Sequence, residues 1–417
     1  MTQWFLFASS IIVALSSQSA AAGEEVLTAT KLRQLLEQKN AIVAASRLES
    51  AAASQREGAL SRSFMPSLEL RGGQENSKLG SEKWRSHSVY GVEANFNLFN
   101  GGRDEIKNKI SSLEASRKSA QVKRVAADEL DKARLLYWEL ISLKEEATLL
   151  KTTIEVNNQN LAAAQKRVRS GVAANSDLFE FEMKAADLKR DSSKVDLSLK
   201  EHTELLRLVL GFDESVTLTF PESLNHEHDE DAGLTPSESQ YDFLFKEQEL
   251  LSQQFSLSAN EQRRSWWPRL DAFASISKFS AHQTVAAAET NEALLGVKVS
   301  LNIPAGMESL REAQALDQEA AAAKLMAEHK RRETAIHVRA ELAQLKLLHD
   351  QVHETEQNIA RAERYYKITQ SEYARGVKNS PDVLGASDKL FDARHSRLET
   401  IRDYQVAKSH LMSKLGL

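Results

Sequence analysis

Residues able to bind a metal or move a proton are thinly spread along this chain, and their spacing limits what they can do. His226-Glu227-His228-Asp229-Glu230-Asp231 sets imidazole and carboxylate groups side by side. Such donors could hold a divalent cation, but a solvated acidic linker is the simpler account. His349 and His353 stand four residues apart on a helical stretch, a spacing that can chelate zinc. No third ligand stands beside them, so a polar coiled-coil face explains them better. The chain has no cysteine, which excludes thiol catalysis, disulfides and thiolate metal sites. No HExxH, P-loop, nucleophile elbow or dinucleotide fingerprint occurs. The expectation is a protein that is not an enzyme and has no metal site and no cofactor.

The strongest signal is duplication. Gly91 and Gly296, Gly101 and Gly306, Gly171 and Gly376, Asp177 and Asp382, and Gly211 and Gly416 are each 205 residues apart. Upstream, Phe64-Met65-Pro66-Ser67-Leu68 pairs with Trp266-Trp267-Pro268-Arg269-Leu270 at an offset of 202, so the slip falls between Leu68 and Gly91. A repeat that keeps register this strictly fits a rigid unit in a symmetric assembly, with length change confined to one exposed loop.

Composition supports long helices. Only 16 Gly and 6 Pro occur in 417 residues, and aromatics are 6%. Basic and acidic residues (54 and 59) are interspersed, giving net charge −5 and no basic stripe for nucleic acid. Residues 1–22 read as a signal peptide: a short apolar segment from Trp4 to Leu15, polar Ser16 to Ser19, then Ala20-Ala21-Ala22. Without cysteine there, a lipoprotein anchor is ruled out. No later apolar run approaches the roughly 20 residues of a transmembrane helix.

Each repeat has the order helix, strand, strand, long helix, shorter helix. The first repeat spans 23–212: helix 27–63, strands 66–75 and 87–99, long helix 103–170, helix 177–210. A linker covers 213–234. The second repeat spans 235–417: helix 235–264, strands 268–278 and 293–303, long helix 308–375, helix 382–415. In the strands, Tyr90, Val92, Ala94, Phe96 and Leu98 oppose Gly91, Glu93, Asn95 and Asn97; Leu295, Val297, Val299, Leu301 and Ile303 oppose Gly296, Lys298, Ser300 and Asn302. Period-two alternation over roughly ten residues is what a strand with one apolar and one polar face requires, and the length suits a tilted membrane crossing. Four strands are too few for a barrel alone; an amphipathic sheet packed on helices is the other possibility.

Glycine turns follow the hairpins, at Gly101-Gly102 and at Gly306. The long helices beyond them lack proline and glycine and would extend roughly 100 Å. Leu136, Leu140, Leu143, Ala147, Leu150, Ile154, Leu161, Ala164 and Val168 follow a coiled-coil seam, with Asn157 in one slot. Gly171 and Gly376 suit C-caps, Asn175 and Ser380 are candidate N-caps, and Pro381 suits the first helical position. The half-length helices, stacked end to end, would match the long ones and give a wall of four helices per chain. Trp84, Trp266 and Trp267 border the strands, as an interfacial belt or as core.

The strand-start prolines Pro66 and Pro268, the strand exit Asn97-Leu98-Phe99-Asn100-Gly101-Gly102, and the turns Arg169–Leu178 and Arg375–Leu384 together resemble the outer-membrane efflux protein family, the TolC-like channel-tunnels. The resemblance covers both repeats. It implies a mainly α protein with membrane β: a homotrimer whose four strands per chain close a twelve-stranded barrel in outer-membrane lipid, continued by a long periplasmic α-helical barrel. It further implies a periplasmic entrance opened when an inner-membrane pump, proton-driven or ABC, and a periplasmic adaptor (membrane fusion) protein dock on the helical tips. Those tips are Gly171, Val172, Gly376 and Val377. By the same resemblance Tyr373 belongs to the constriction, Lys378 stands where an arginine is common, Asp177 is its potential partner from the neighbouring coil, and Asp382 forms an acidic ring facing the pore. A second ring would fall at Gly385, and lysine loses bidentate pairing. Asp177 and Asp382 also have a plainer reading, as charges favoured in a helix's first turn.

The function expected is therefore a passive exit duct of a tripartite efflux pump or type I secretion system. A soluble periplasmic coiled-coil adaptor or scaffold is the alternative. The cargo is not written in this sequence.

Overall fold

The computed structural model describes residues 24–60, 65–77, 84–171, 174–224, 236–281, 290–301 and 307–417. The expected signal peptide, the run His226–Asp231, Val172 and Gly306 lie outside the described residues.

Strand β1 (Glu24–Val26) leads into α1 (Lys31–Lys39) and α2 (Ala41–Leu60). One helix is expected over 27–63, and Asn40 breaks it. Its Oδ1 accepts the Val43 N–H at 2.8 Å, and its Nδ2 donates to Glu129 Oε2 at 3.1 Å. This side chain caps α2 from a position only 3% exposed, satisfying a helix-start donor that would otherwise be buried unpaired.

Strands β2 (Ser67–Ser77) and β3 (Arg85–Asn100) precede α3 (Arg103–Arg169) and α4 (Asn175–Leu210). The stretch expected as linker then contains β4 (Thr217–Thr219), paired in parallel with β1. Strands this short leave no periodic signal. Beside them the fully buried Tyr137 donates to Glu222 Oε2 at 2.8 Å, and burial together with that carboxylate pushes its phenol well above the usual range. Short α5 (Glu238–Tyr241) and α6 (Phe243–Arg263) occupy the region expected as one helix. Strands β5 (Arg269–Ala281) and β6 (Thr290–Ser300), α7 (Glu308–Ala374) and α8 (Ser380–Lys414) complete the chain.

Helices α3 and α7 are 67 residues each. Among the described residues no helix is long and apolar enough to cross a membrane. The chain divides into two compact units, and neither is a repeat. One takes the chain up to Lys39, Ala133–His226 and Glu354–Arg402; the other takes Asn40–Lys132, Glu227–His353 and Asp403–Leu417. In the first unit Leu150, Leu188 and Val195 form a core joined by Leu143, Ala147 and Ile154, where the seam of α3 meets α4. In the second, Tyr241, Phe245, Leu345, Tyr404 and Leu411 pack α5, α6, α7 and α8 together.

The second unit holds the only four-stranded sheet among the described residues, antiparallel and ordered β2-β3-β5-β6. A bulge between Asn97 and Phe99 shifts the β3–β5 register just before the chain leaves the sheet.

Asn40→Ala is expected to cost about 1–2 kcal/mol, since it removes a cap and a bond to the buried Glu129 carboxylate. The loss is read as a lower melting temperature, with secondary structure retained at 20 °C.

Candidate functional site

Residues directly opposite one another in an antiparallel sheet share a face. Leu70 faces Val92, Val92 faces Ile276, and Ile276 faces Ala293. Two residues along, the row is Leu68, Ala94, Ala274 and Leu295, and the next holds Phe96, Ala272 and Val297. The apolar sets of all four strands therefore merge into one face. Nothing among the described residues covers it: Leu70 is 81% exposed and Leu295 is 88% exposed. An amphipathic sheet packed on helices would bury these residues, so that possibility is set aside. An apolar patch of this extent marks a surface that another phase or molecule covers.

The opposite face is polar. It carries Glu69, Arg71, Glu93, Asn95, Asp271 and Lys298, with Arg71 Nη2 lying 3.2 Å from Glu93 Oε2. Phe273 and Leu294 are apolar exceptions on it, and Gly296 accommodates the Phe273 ring. A Cβ at Gly296 would come within 2.8 Å of Phe273 Cζ, so only glycine lets the ring lie across the strand. Strands β2 and β6 are each paired on one side among the described residues.

At the sheet's exit Gly101 and Gly102 have φ of 60° and 74°. A Cβ on Gly101 would lie 2.7 Å from Trp267 Cβ, so both conformation and space demand glycine. Asp104 in the first turn of α3 accepts from Asn97 Nδ2 at 2.6 Å and Asn100 Nδ2 at 3.2 Å, tying strand to helix. Trp84, Trp266 and Trp267 are 70%, 50% and 43% exposed, so none belongs to a core.

The helical tips lie in the first unit. Gly171 (φ 72°) ends α3, and Gly376 (φ 82°) ends α7. At the latter, Gly376 N–H donates to Tyr373 O and Val377 N–H to Glu372 O, both at 2.9 Å, the Schellman arrangement. Val377 is 71% exposed. The N-caps differ from expectation. Asn379, not Ser380, caps α8: its backbone N–H donates to Asp382 and its Oδ1 accepts from the Asp382 N–H, both at 3.2 Å. Pro381 is thus the second helical residue. Asn175 is already helical, and Ala174 stands at the cap of α4 without a side-chain bond.

Lys378 Nζ lies 3.8 Å from Asp382 Oδ1, a pair that the four-residue spacing brings together. Lys378 does not meet Asp177 within the chain. Asp177 is half-buried in the first turn of α4, and among the described residues no ion pair engages it.

Tyr373 is 4% exposed and packs with Ala164, Phe181, Val383 and Leu384. Phe181 meets its ring edge-on at 6.4 Å. The Arg167 guanidinium lies 4.3 Å from the ring centroid and also donates to the Tyr373 carbonyl, at the end of α7. Asn157, the polar slot in the seam, donates to Phe181 O at 3.1 Å. Arg167 is the residue that sequence reading missed. It sits among Lys166 and Arg169 in the last turn of α3, where the helix dipole alone favours cations, so nothing local singles it out.

His349 and His353 meet edge-to-face at 5.5 Å. Among the described residues no group of three His, Cys, Asp or Glu side chains is placed to hold a metal ion.

The sequence profile described as outer membrane efflux protein matches residues 32–211 and 240–417, hence both repeats. No curated protein sequence matches the chain significantly. The fold is similar to the Campylobacter jejuni CmeC outer membrane channel, with TM-score 0.84, 12% identity, and 93% of this chain and 85% of that one covered. It is also similar to the outer membrane protein VceC of Vibrio cholerae (TM-score 0.80, 15% identity, 93% and 96% covered). The Neisseria gonorrhoeae MtrE outer membrane channel in its open state gives TM-score 0.77 at 14% identity, with 93% and 88% covered. The profile match displaces the soluble adaptor reading. With an uncovered apolar sheet face at one site and capped helical hairpins at the other, the chain belongs to the outer membrane efflux protein family, and it is an outer-membrane channel-tunnel that reaches into the periplasm.

Proposed function

We propose that three copies of this chain close their sheets into one twelve-stranded barrel and form the exit duct of a tripartite efflux pump or type I secretion system. One observation carries the reading: a four-stranded sheet with a single continuous apolar face and two half-paired edge strands. In lipid, unpaired strand edges are untenable, and closure with neighbouring copies removes them. The polar face then lines water, and the exposed tryptophans border the apolar band.

The tips are the natural place for a gate. Gly171, Val172, Gly376 and Val377 present the turns to a periplasmic adaptor, and an inner-membrane pump delivers the cargo. Asp382 contributes one carboxylate per chain to a ring, with Asp177, Tyr373 and Lys378 around it. Capping of α8 by Asn379 and Asp382 supports this, because it holds the carboxylate in one place. Three carboxylates about a narrow axis favour cations.

The protein extracted from membranes should run as a trimer that boiling dissociates, and in planar bilayers it should carry stepwise current. A detergent-free, monomeric, water-soluble product overturns the duct. Asp382→Ala is expected to weaken block of that current by polyvalent cations, and unchanged block removes the ring. Arg167→Ala should speed amide exchange over residues 370–376 by several-fold, reflecting about 1 kcal/mol of lost cation–π contact, while Arg167→Lys loses less.

A further inference from the structure

Helix α8 carries two histidines, and each reaches a carboxylate on α3. In the first unit, His395 Nε2 lies 3.3 Å from Glu146 Oε1 and its Nδ1 lies 3.6 Å from Glu399 Oε2 of α8 itself. Phe391 stacks on the ring with centroids 5.9 Å apart. Arg402 of α8 is the opposing charge nearby. In the second unit, His410 Nδ1 lies 2.7 Å from Asp131 Oδ2. Glu341 of α7 and Lys414 of α8 also face it, and those two pair with each other. The single histidine of α4 follows the same plan, with His202 Nε2 3.2 Å from Glu139 Oε2 of α3.

We propose that His395 and His410 are acid-tightened clasps that fasten α8 to α3. The chemistry follows from the two ring nitrogens. An imidazolium donates to Glu146 through Nε2 while its positive charge also faces Glu399 across 3.6 Å. A neutral ring keeps one N–H and no charge, so it loses the attraction to Glu399 even where it still donates to Glu146. At His410 the added proton places a positive charge against Asp131 and Glu341, which Lys414 only partly offsets.

Hydrogen bonding to Glu146 holds the His395 imidazole above its ordinary value, against the opposing effect of burial, and Asp131 does the same for His410. A raised folded-state value means that the clasp's contribution is complete below the ordinary imidazole value of about 6.5 and is lost as pH rises through the raised value. The clasps are therefore tighter in mildly acidic medium than in alkaline medium.

The consequence is regulatory. Helix α8 begins at the tip, and its first turn carries Asp382. Fastening α8 restrains that turn, so acidification should make the duct harder to open. This last step rests on the gate placed at the tips above.

Hydrogen exchange on the full-length protein in detergent tests the clasps directly. After correction for intrinsic rates, amides around His395 and His410 should be roughly two- to five-fold more protected per clasp at pH 6 than at pH 8.5, the range of a partly exposed ion pair. The H395Q/H410Q double variant should match wild type at pH 8.5 and lose the difference. Should that variant fail to fold, E146Q/D131N supplies the same readout from the other partner. Equal wild-type protection at both pH values, or a response surviving in either double variant, overturns the proposal. Bilayer currents from the same samples separate the two readings. Lower current at pH 6 in wild type alone supports both. pH-dependent protection without any current supports the clasps and removes the duct, whereas current without pH-dependent protection removes the clasps.

Discussion

Register in the four-stranded sheet is the constraint on which the rest depends. A strand's side chains alternate with period two, so a slip of one residue in any pairing would turn its apolar set to the other face. The observed pairings bring Leu70, Val92, Ile276 and Ala293 into one row and Leu68, Ala94, Ala274 and Leu295 into the next. Only because all three pairings agree is there a single lipid-ready face and a single polar one. The bulge at Asn97/Phe99 comes after these rows, where the chain is already turning toward α3.

The helices answer a different requirement. Helices of 67 residues without proline or glycine are stiff, and they are held to their neighbours by apolar seams with few buried polar residues. Three polar side chains join elements. Asn40 links the start of α2 to α3, and Asn157 links α3 to the first turns of α4. Arg167 ties the end of α3 to the end of α7. Each such group satisfies a carbonyl, a carboxylate or a ring face on another helix, so each fixes where two helices meet as well as whether they pack.

The compact units of the chain do not follow its duplication. Each unit draws strands or helices from both repeats, so the likeness of the two halves is one of local structure and element order. The tips show how far likeness goes. Gly171 and Gly376 both end helices in the left-handed conformation, yet α8 has a reciprocal Asn379–Asp382 cap and α4 has none. Tyr373 likewise has no aromatic counterpart at its position in the first repeat, where Val168 stands, and it is Arg167 that covers its ring.

Periodicity and punctuation are properties of neighbouring residues, and these the sequence determined by itself: the strand alternation, the long seams, the glycine turns, the duplicated order and the lack of any catalytic constellation. They sufficed for a mainly helical chain with paired strands, and the channel was read from the resemblance of its motifs to the efflux protein family. Contacts between residues far apart in the chain were left to the tertiary structure. Asn40 reads as one more polar residue in a helical run until Glu129 and the Val43 N–H appear beside it. Strands of three residues such as β1 and β4 have too few alternations to signal anything. The partners of Tyr373 and His410, and the Glu146 partner of His395, depend on how helices are aligned along and around their axes. That alignment comes from packing summed over many side chains, and no local pattern records it.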